Sequence, residues 1–295
     1  MKTTINISIL TIAIGGLIWL LTACSAAPAE TPIVTVSIEP QKYMLEQITG
    51  DKVDIRTLIA NGANPENYDP SLTHIMNLRK SIGFLRMGNI GFEAALLDKI
   101  RQEDPELPIF NTSEGVVPVT GTHSHSHGHG GVHHEEIDPH TWTSVKNAKI
   151  IVRNMLDAMV KIDPSNKDYY RRNYERFAQR LDSLDRDFES RLASHAGEHF
   201  MVWHPSLSYF ARDYGLEQIT AGNAENKESS LTMLRKTIDH ADSHSASIFF
   251  YQKDLDSRQA EVLSDQLGLR KVSINPLSYD WEAEMCAITD AITAD

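Results

Sequence analysis

The chain has 295 residues and a formal net charge of −12, from 28 lysines and arginines against 40 aspartates and glutamates. A surface this acidic repels phosphate backbones, which argues against a nucleic-acid partner, and it favours divalent cations. The length is sufficient for two domains that each bury a core, and two cysteines leave little scope for disulfides.

The N-terminus has the features of an export signal. Lys2 precedes an apolar run over 5–21, and small residues follow up to Cys24. The sequence Leu-Thr-Ala-Cys matches the bacterial lipoprotein signal, in which the cysteine receives a lipid and becomes the mature N-terminus. Only Cys286 would then remain as a free thiol. The alternative is a single transmembrane anchor, for which the run is slightly short of the ~20 apolar residues required.

The first half of the chain alternates predicted strands with predicted helices. The strands are expected at 33–38, 53–59, 82–87 and 108–110, and the helices at 42–48, 71–80 and 91–101. This alternation predicts a parallel sheet with right-handed crossovers, in which ligands lie beyond the carboxyl ends of the strands. The loop after the second strand carries Glu66 and Asp69, which are candidate carboxylate ligands in what is otherwise an ordinary acidic turn.

A histidine-rich tract follows, within a stretch up to Asp138 that has no convincing periodicity. Histidines that alternate with serine and glycine cannot build a core, so a mobile loop is expected. Imidazole binds zinc, copper and nickel, so the tract is a candidate for auxiliary metal capture; a solvated or pH-responsive linker is the alternative. The histidines concerned are His123, His125, His127, His129, His133 and His134.

His140, at the end of the tract, lies in a more restricted backbone than the other histidines. In Asp138-Pro139-His140 the proline fixes its own φ and biases Asp138 toward an extended conformation. His140 is therefore expected to be presented in a defined direction, although many such tripeptides are simple turns.

The second half repeats the αβ alternation after two long helices. Ser144 is expected to cap a helix to about residue 162, and Asp163-Pro164 to start the next one. That helix, over 165–192, carries an apolar stripe along roughly 40 Å, which is long enough to bridge two domains or to be an ordinary amphipathic helix. Further strands are expected at 199–203, 218–220, 246–251 and 271–274, and further helices at 208–214, 230–240, 257–267 and 281–292.

His204 ends the first strand of this second half, as Glu66 follows a strand of the first half. A lone histidine at such a position is more often a structural residue. Three candidate ligands at loop ends of two α/β halves, including His140, favour a shared cleft instead, because facing sheets bring such loops together.

Several motifs together resemble one family. They are the lipoprotein signal, Gly-x-x-Pro-x-x-Tyr-x-Pro at 62–70, the histidine-rich loop, Asp-Pro-His-x-Trp at 138–142, the Asp163-Pro164 long helix, and His-x-x-x-x-Tyr-Phe-Ala-x-x-Tyr-Gly-Leu at 204–216. In order and spacing they are similar to the zinc- or manganese-binding solute-binding proteins of ABC transporters, the ZnuA-like and TroA-like family. The resemblance covers nearly the whole mature chain.

The resemblance implies two Rossmann-like α/β lobes joined by one long helix, with a metal held between the lobes. His140 and His204 match two histidine ligands of the family, and Glu66 stands where the family commonly has its first histidine; a carboxylate can also bind zinc. Asn275 stands where some members have aspartate, so water, Asn275 or Asp280 is expected to complete the shell.

Two neutral histidines and one carboxylate favour Zn2+, with Mn2+ the weaker candidate. Capture is expected to weaken as the pH falls through about 6.5, because the histidines must lose protons to bind. A metal buffer or adhesin without a permease remains an alternative, as does a zinc hydrolase, although no His-Glu-x-x-His helix supports the latter.

The resulting expectation is a non-enzymatic, monomeric, exported lipoprotein, periplasmic or at the cell surface and anchored through Cys24. It would deliver zinc to an ABC permease and its ATPase. The expected segments are a signal peptide at 1–23, a lipidated tether at 24–32, a first lobe at 33–162 with the loop at 121–137, a linking helix at 163–194, and a second lobe at 195–295.

Overall fold

The computed structural model describes residues 31–59, 65, 68–121, 136–221, 246–252, 263 and 265–294. Contacts group Pro32–Asp295 into one compact unit. The predicted signal peptide and residues 24–30 of the predicted tether, with Cys24, lie outside the described residues, as do the predicted helix at 230–240 and most of the one at 257–267. Among the described helices, none combines the length and the apolar character needed to cross a bilayer.

The first lobe is built on a parallel sheet of four strands. The strands are β1 (Ile33–Val36), β2 (Asp54–Thr57), β3 (Ser81–Arg86) and β4 (Ile109–Asn111), in the order β2-β1-β3-β4. The helices are α1 (Glu39–Thr49), α2 (Leu72–Leu78) and α3 (Gly91–Glu103). The predicted alternation is confirmed, with bounds that differ from the predicted ones by a few residues.

Polar side chains stabilise the starts of α2 and α3. Ser71 accepts a hydrogen bond from the His74 backbone at the start of α2. Glu93, in the first turn of α3, is fully buried and accepts from the backbone N–H groups of Met87 (2.8 Å) and Gly88 (2.8 Å). These bonds hold the end of β3 against the first turn of α3, at the carboxyl edge of the sheet.

A short antiparallel ladder joins the two ends of the histidine-rich tract, where no regular structure is expected from sequence. It pairs β5 (Thr120–Gly121) with β6 (Glu136–Ile137). The backbone N–H of Asp138 donates to the Val119 carbonyl (2.9 Å), which extends the pairing by one position. The tract itself, residues 122–135, lies outside the described residues.

A long helix, preceded by a shorter one, connects the lobes. Ser144 caps α4 (Val145–Ile162), and Pro164–Asn166 form a short 3-10 turn before α5 (Lys167–Leu192). Most of the predicted stripe of α5 is buried, with Tyr174 and Leu184 half-buried, and α5 packs against α1, α4 and two helices of the second half. Its buried apolar residues are Tyr170, Phe177, Leu181, Phe188 and Leu192.

The second lobe repeats the architecture of the first. Its parallel sheet contains β7 (His199–Val202), β8 (Glu217–Thr220), β9 (Ile248–Tyr251) and β10 (Arg270–Ser273), in the order β10-β9-β7-β8. Its described helices include α6 (Ser208–Tyr214), which ends at Gly215 with a left-handed φ of 71°, and α7 (Trp281–Thr293). The fold is therefore two parallel-sheet α/β lobes joined by a long helix, as the resemblance implies.

Candidate metal centre

His140 lies in the first lobe, between β6 and the 3-10 turn Thr141–Thr143 that precedes α4. Asp138 holds it twice: Oδ1 accepts from the His140 backbone N–H (2.8 Å) and contacts His140 Nδ1 (2.9 Å). Because a carboxylate accepts hydrogen bonds, Nδ1 carries the proton, and Nε2 is left with a lone pair that points away from Asp138.

His204 approaches from the second lobe, two residues beyond the end of β7. The preceding residue, Trp203, continues the sheet by donating from its backbone to the Phe250 carbonyl (3.1 Å). This places His204 at the carboxyl edge of the second sheet, which is the edge where parallel sheets gather their ligand-binding loops.

The two imidazoles converge. The Nε2 atoms of His140 and His204 are 3.2 Å apart, and their side chains belong to residues that are only 4% and 7% exposed. Two nitrogens bound to one tetrahedral zinc at ~2.0–2.1 Å would lie roughly 3.3 Å apart, so the pair fits one such ion. The same separation also fits a hydrogen bond between one protonated Nε2 and the lone pair of the other.

Electrostatics favour an ionised Asp138 beside these rings. Burial by itself would raise the pKa of Asp138, but its electrostatic interaction with the His140 ring and the hydrogen bonds from His140 and Ser208 outweigh it and lower that pKa below its usual value. A carboxylate behind a ligating histidine fixes its tautomer and raises its basicity.

The other predicted ligands divide into residues outside the described ranges and two exposed residues of the second lobe. Glu66 lies outside the described residues, as do the six tract histidines. Within the described ranges, no group of three or more His, Cys, Asp or Glu side chains is placed to hold a metal. Asn275 and Asp280 are exposed; Asn275 Oδ1 accepts from the Leu277 backbone (3.1 Å), and Asp280 caps α7 by accepting from the Ala283 backbone (3.4 Å).

A buried hydroxyl and sulfur cluster supports the turn after His140, and sequence reasoning missed it. The Ser113 and Thr141 hydroxyls are 2.8 Å apart, and both contact the Met87 sulfur, at 3.2 and 3.4 Å. These residues come from the ends of β3 and β4 and from the turn itself. No short pattern marks them, because the cluster forms only once the strand ends meet.

Two buried tryptophans join the same turn to the second lobe. The Trp142 indole donates to the Pro276 carbonyl (2.7 Å), and the Trp281 indole donates to the Trp142 carbonyl (2.7 Å). Trp142 also packs on His140, with ring centroids 5.2 Å apart. Trp142 belongs to the Asp-Pro-His-x-Trp motif, but Pro276 and Trp281, which bond to it, are distant in sequence.

Comparison with known proteins places the chain in a family. A relative described as a high-affinity zinc uptake system protein ZnuA, from Bacillus subtilis (strain 168), is 27% identical over 249 residues, covering 83% of this chain and 78% of the relative. A crystal structure of ZnuA superposes with a TM-score of 0.80 at 27% identity, covering 90% of this chain and 98% of that one. The solute-binding protein FpvC of Pseudomonas aeruginosa, solved in complex with Mn2+, gives a TM-score of 0.77 at 25% identity and covers 90% and 98%.

The family profile itself covers most of the sequence. It matches residues 34–293, from the first strand to the last helix. The chain therefore belongs to the ZnuA family, described as the periplasmic component A of the zinc-uptake complex.

Proposed function

We propose that this chain is the extracytoplasmic solute-binding component of a zinc ABC uptake system, with His140 and His204 as ligands from opposite lobes and Glu66 as the third. The observation that carries the proposal is the 3.2 Å separation of the two buried Nε2 atoms, one of them oriented by Asp138. Family membership supports the transport role.

Zinc is proposed over manganese because two of the three ligands are imidazoles. Nitrogen-rich sites bind zinc more tightly than manganese, whereas manganese prefers carboxylate and water oxygens. Manganese is the second candidate, since a relative of similar fold is described in complex with Mn2+ and Glu66 would supply an oxygen. Competition between the two metals for the purified chain decides between them: displacement of bound zinc by equimolar manganese would contradict the proposal.

The ligand assignment is tested by His140→Ala and His204→Ala. Each is expected to abolish tight zinc binding, measured by competition titration against a chromophoric chelator. His195→Ala is the matched control, because His195 contacts Glu198 (2.9 Å) on the surface of the second lobe. Tight binding that survives both substitutions would refute the site.

The histidine-rich tract is proposed as an auxiliary capture segment, separate from the tight site. Deletion of 123–134 is expected to lower the zinc stoichiometry or the loading rate and to leave one tight site. Loss of the tight site in this deletion would contradict that division of roles.

The membrane components are proposed to be an ABC permease and its ATPase, with the chain monomeric and anchored through a lipid on Cys24. Cys24→Ser is expected to release the protein from the membrane fraction of expressing cells. Retention of the variant in that fraction would argue for a different anchor.

A further inference from the structure

The last pair of the short ladder at the base of the histidine-rich tract is bridged by a side chain. Val119 faces Asp138, one position beyond the pairing of Thr120 with Ile137. Residues paired in this way in an antiparallel ladder exchange two backbone hydrogen bonds. One bond is direct, from Asp138 N–H to the Val119 carbonyl at 2.9 Å.

The Tyr209 hydroxyl occupies the place of the second bond. It accepts from the Val119 backbone N–H (3.3 Å) and donates to the Asp138 carbonyl (2.8 Å). Those are the donor and the acceptor that a direct second bond would join. Because the hydroxyl lies between them, the Val119 N–H and the Asp138 carbonyl stay farther apart than in a direct hydrogen bond, which would be about 2.9 Å long.

The second lobe fixes the position of this hydroxyl. Tyr209 lies in α6, five residues after His204, and is fully buried. The Arg212 guanidinium stacks over its ring, with 5.0 Å to the centroid, and donates to the Val117 carbonyl (2.7 Å). Arg212 thus contacts both the Tyr209 ring and the backbone at Val117, and this leaves the Tyr209 hydroxyl little freedom.

We propose that Tyr209 is a positioning residue for the metal centre: by bridging Val119 and Asp138, its hydroxyl sets the distance of the His140 segment from the lobe that carries His204. This inference rests on the proposed function. Its chain of contacts is short, because Asp138 receives the hydroxyl at its carbonyl and holds the His140 backbone and ring through its carboxylate.

Removal of the hydroxyl has a defined consequence. In Tyr209→Phe the half-buried Val119 N–H and the buried Asp138 carbonyl lose a shared partner, and a buried polar group without a hydrogen bond is costly. Direct bonding between them repairs this loss, but it draws Asp138 toward Val119 and moves Oδ1, which holds His140. The His140 Nε2 would then leave the position from which it meets His204.

The test compares Tyr209→Phe with Tyr214→Phe in the full mature chain. Tyr214 is the matched control: it lies in the same helix, is buried, and donates its hydroxyl to Asp185 (2.9 Å), away from the two histidines. Each variant is titrated with zinc in competition with a chelator. The metal-free proteins are also labelled with 15N-histidine, and the ring-nitrogen signals of His140, assigned by their loss in His140→Ala, are compared.

Tyr209→Phe is expected to weaken zinc binding by roughly tenfold, in the range found for groups that orient metal ligands, and to shift the His140 ring-nitrogen signals without metal. Tyr214→Phe is expected to change neither. Unchanged affinity and unchanged signals in Tyr209→Phe would overturn the inference, as would equal effects in both variants. A wild-type chain without a tight zinc site would instead refute the proposed function, while the metal-free signals would still test the positioning.

Discussion

Asp138 sets both the backbone and the ring of His140. The same oxygen, Oδ1, receives the backbone N–H and faces Nδ1, within a site where Asp138 is 1% exposed. The proline between the two residues restricts the backbone further. The result is a preorganised imidazole, so little conformational entropy remains to be lost when a metal binds.

Asp138→Asn tests this preorganisation. An amide keeps an oxygen that can accept from His140 but removes the negative charge that favours an Nδ1 proton, so zinc affinity is expected to fall about 10- to 100-fold. Competition titration measures the change. Asp185→Asn is the control, because Asp185 is a buried carboxylate that pairs with Lys149 and Tyr214 instead. Equal losses of affinity in the two variants would contradict the role given to Asp138.

The Tyr209 hydroxyl also leads to a prediction of how stability changes at alkaline pH. Burial, followed by the nearby charge of Asp138, raises the pKa of Tyr209 to about 12. Its hydroxyl therefore keeps its proton and its bond to Asp138 at neutral pH. Since the folded pKa lies above the unfolded value of ~10, the stability that Tyr209 contributes is complete below pH ~10 and is lost as the pH rises toward 12.

The expected difference is measured with Tyr209→Phe. The gap in unfolding free energy between wild type and variant should narrow between pH 10 and pH 12, as followed by urea denaturation of the metal-free proteins. The tyrosinate absorbance that the variant lacks should titrate near pH 12, the raised pKa of Tyr209, instead of at pH ~10. A constant gap across this range would show that the phenol does not titrate as stated.

Single residues were predictable where a rule about sheets applied to them. His204 follows a strand of a parallel sheet, at the edge where such sheets bind ligands, whereas His140 was singled out by its Asp-Pro-His motif; their Nε2 atoms are 3.2 Å apart. Glu66 lies outside the described residues, so its place as a ligand stays a prediction. Tyr209 was recognised only as part of a motif, because its role depends on a ladder position far away in sequence.

Among the elements, α5 shows how apolar burial and an ion pair contribute unequally to stability. Leu181 is fully buried in the stripe that faces the other helices. Its neighbour Arg180 contacts Glu282 (2.6 Å) and the Tyr43 hydroxyl (2.8 Å), which links α1, α5 and α7, but its own side chain is 51% exposed. Solvent screens an ion pair of this kind, so the apolar stripe is expected to dominate the stability of the connection.

Leu181→Ala is expected to lower the unfolding free energy by about 2–5 kcal/mol, as for other buried leucines. Arg180→Met, which keeps much of the aliphatic stem, is expected to cost about 1 kcal/mol or less. Denaturant unfolding of the metal-free variants measures both. A larger loss of unfolding free energy for Arg180→Met than for Leu181→Ala would mean that the polar contacts of Arg180, rather than the apolar stripe, hold α5 in place.

Elements with a strong period were predicted well, and short ones were not. The apolar stripe of α5 and the Ser144 cap of α4 place both helices within two residues of their observed ends. The β5–β6 ladder has two residues per strand, which is too few for an alternation to be seen. Next to it, Val119 and Asp138 are joined by a backbone hydrogen bond and by the Tyr209 bridge, and neither is a local signal.

At the scale of the whole molecule, contacts between the lobes surround the turn that carries His140. The Trp142 indole donates to the Pro276 carbonyl and the Trp281 indole to the Trp142 carbonyl. Tyr209 bridges to Asp138, and the Ser144 hydroxyl donates to Asp213 of α6. A metal that binds His140 and His204 therefore links two segments that already pack together. Binding should stabilise both lobes as one unit rather than one lobe alone.

Zinc-linked stability tests this coupling. A ligand that binds only the folded state stabilises it by RT ln(1 + [L]/Kd), about 4.1 kcal/mol when free zinc is 1,000 times Kd. Wild type and the His195→Ala control should show this gain in one cooperative transition, followed by denaturant unfolding with near-ultraviolet circular dichroism, whereas His140→Ala and His204→Ala should lose it. Two transitions of which zinc shifts only one would mean that the metal is held within a single lobe, and the pairing of His140 with His204 as ligands would then be wrong.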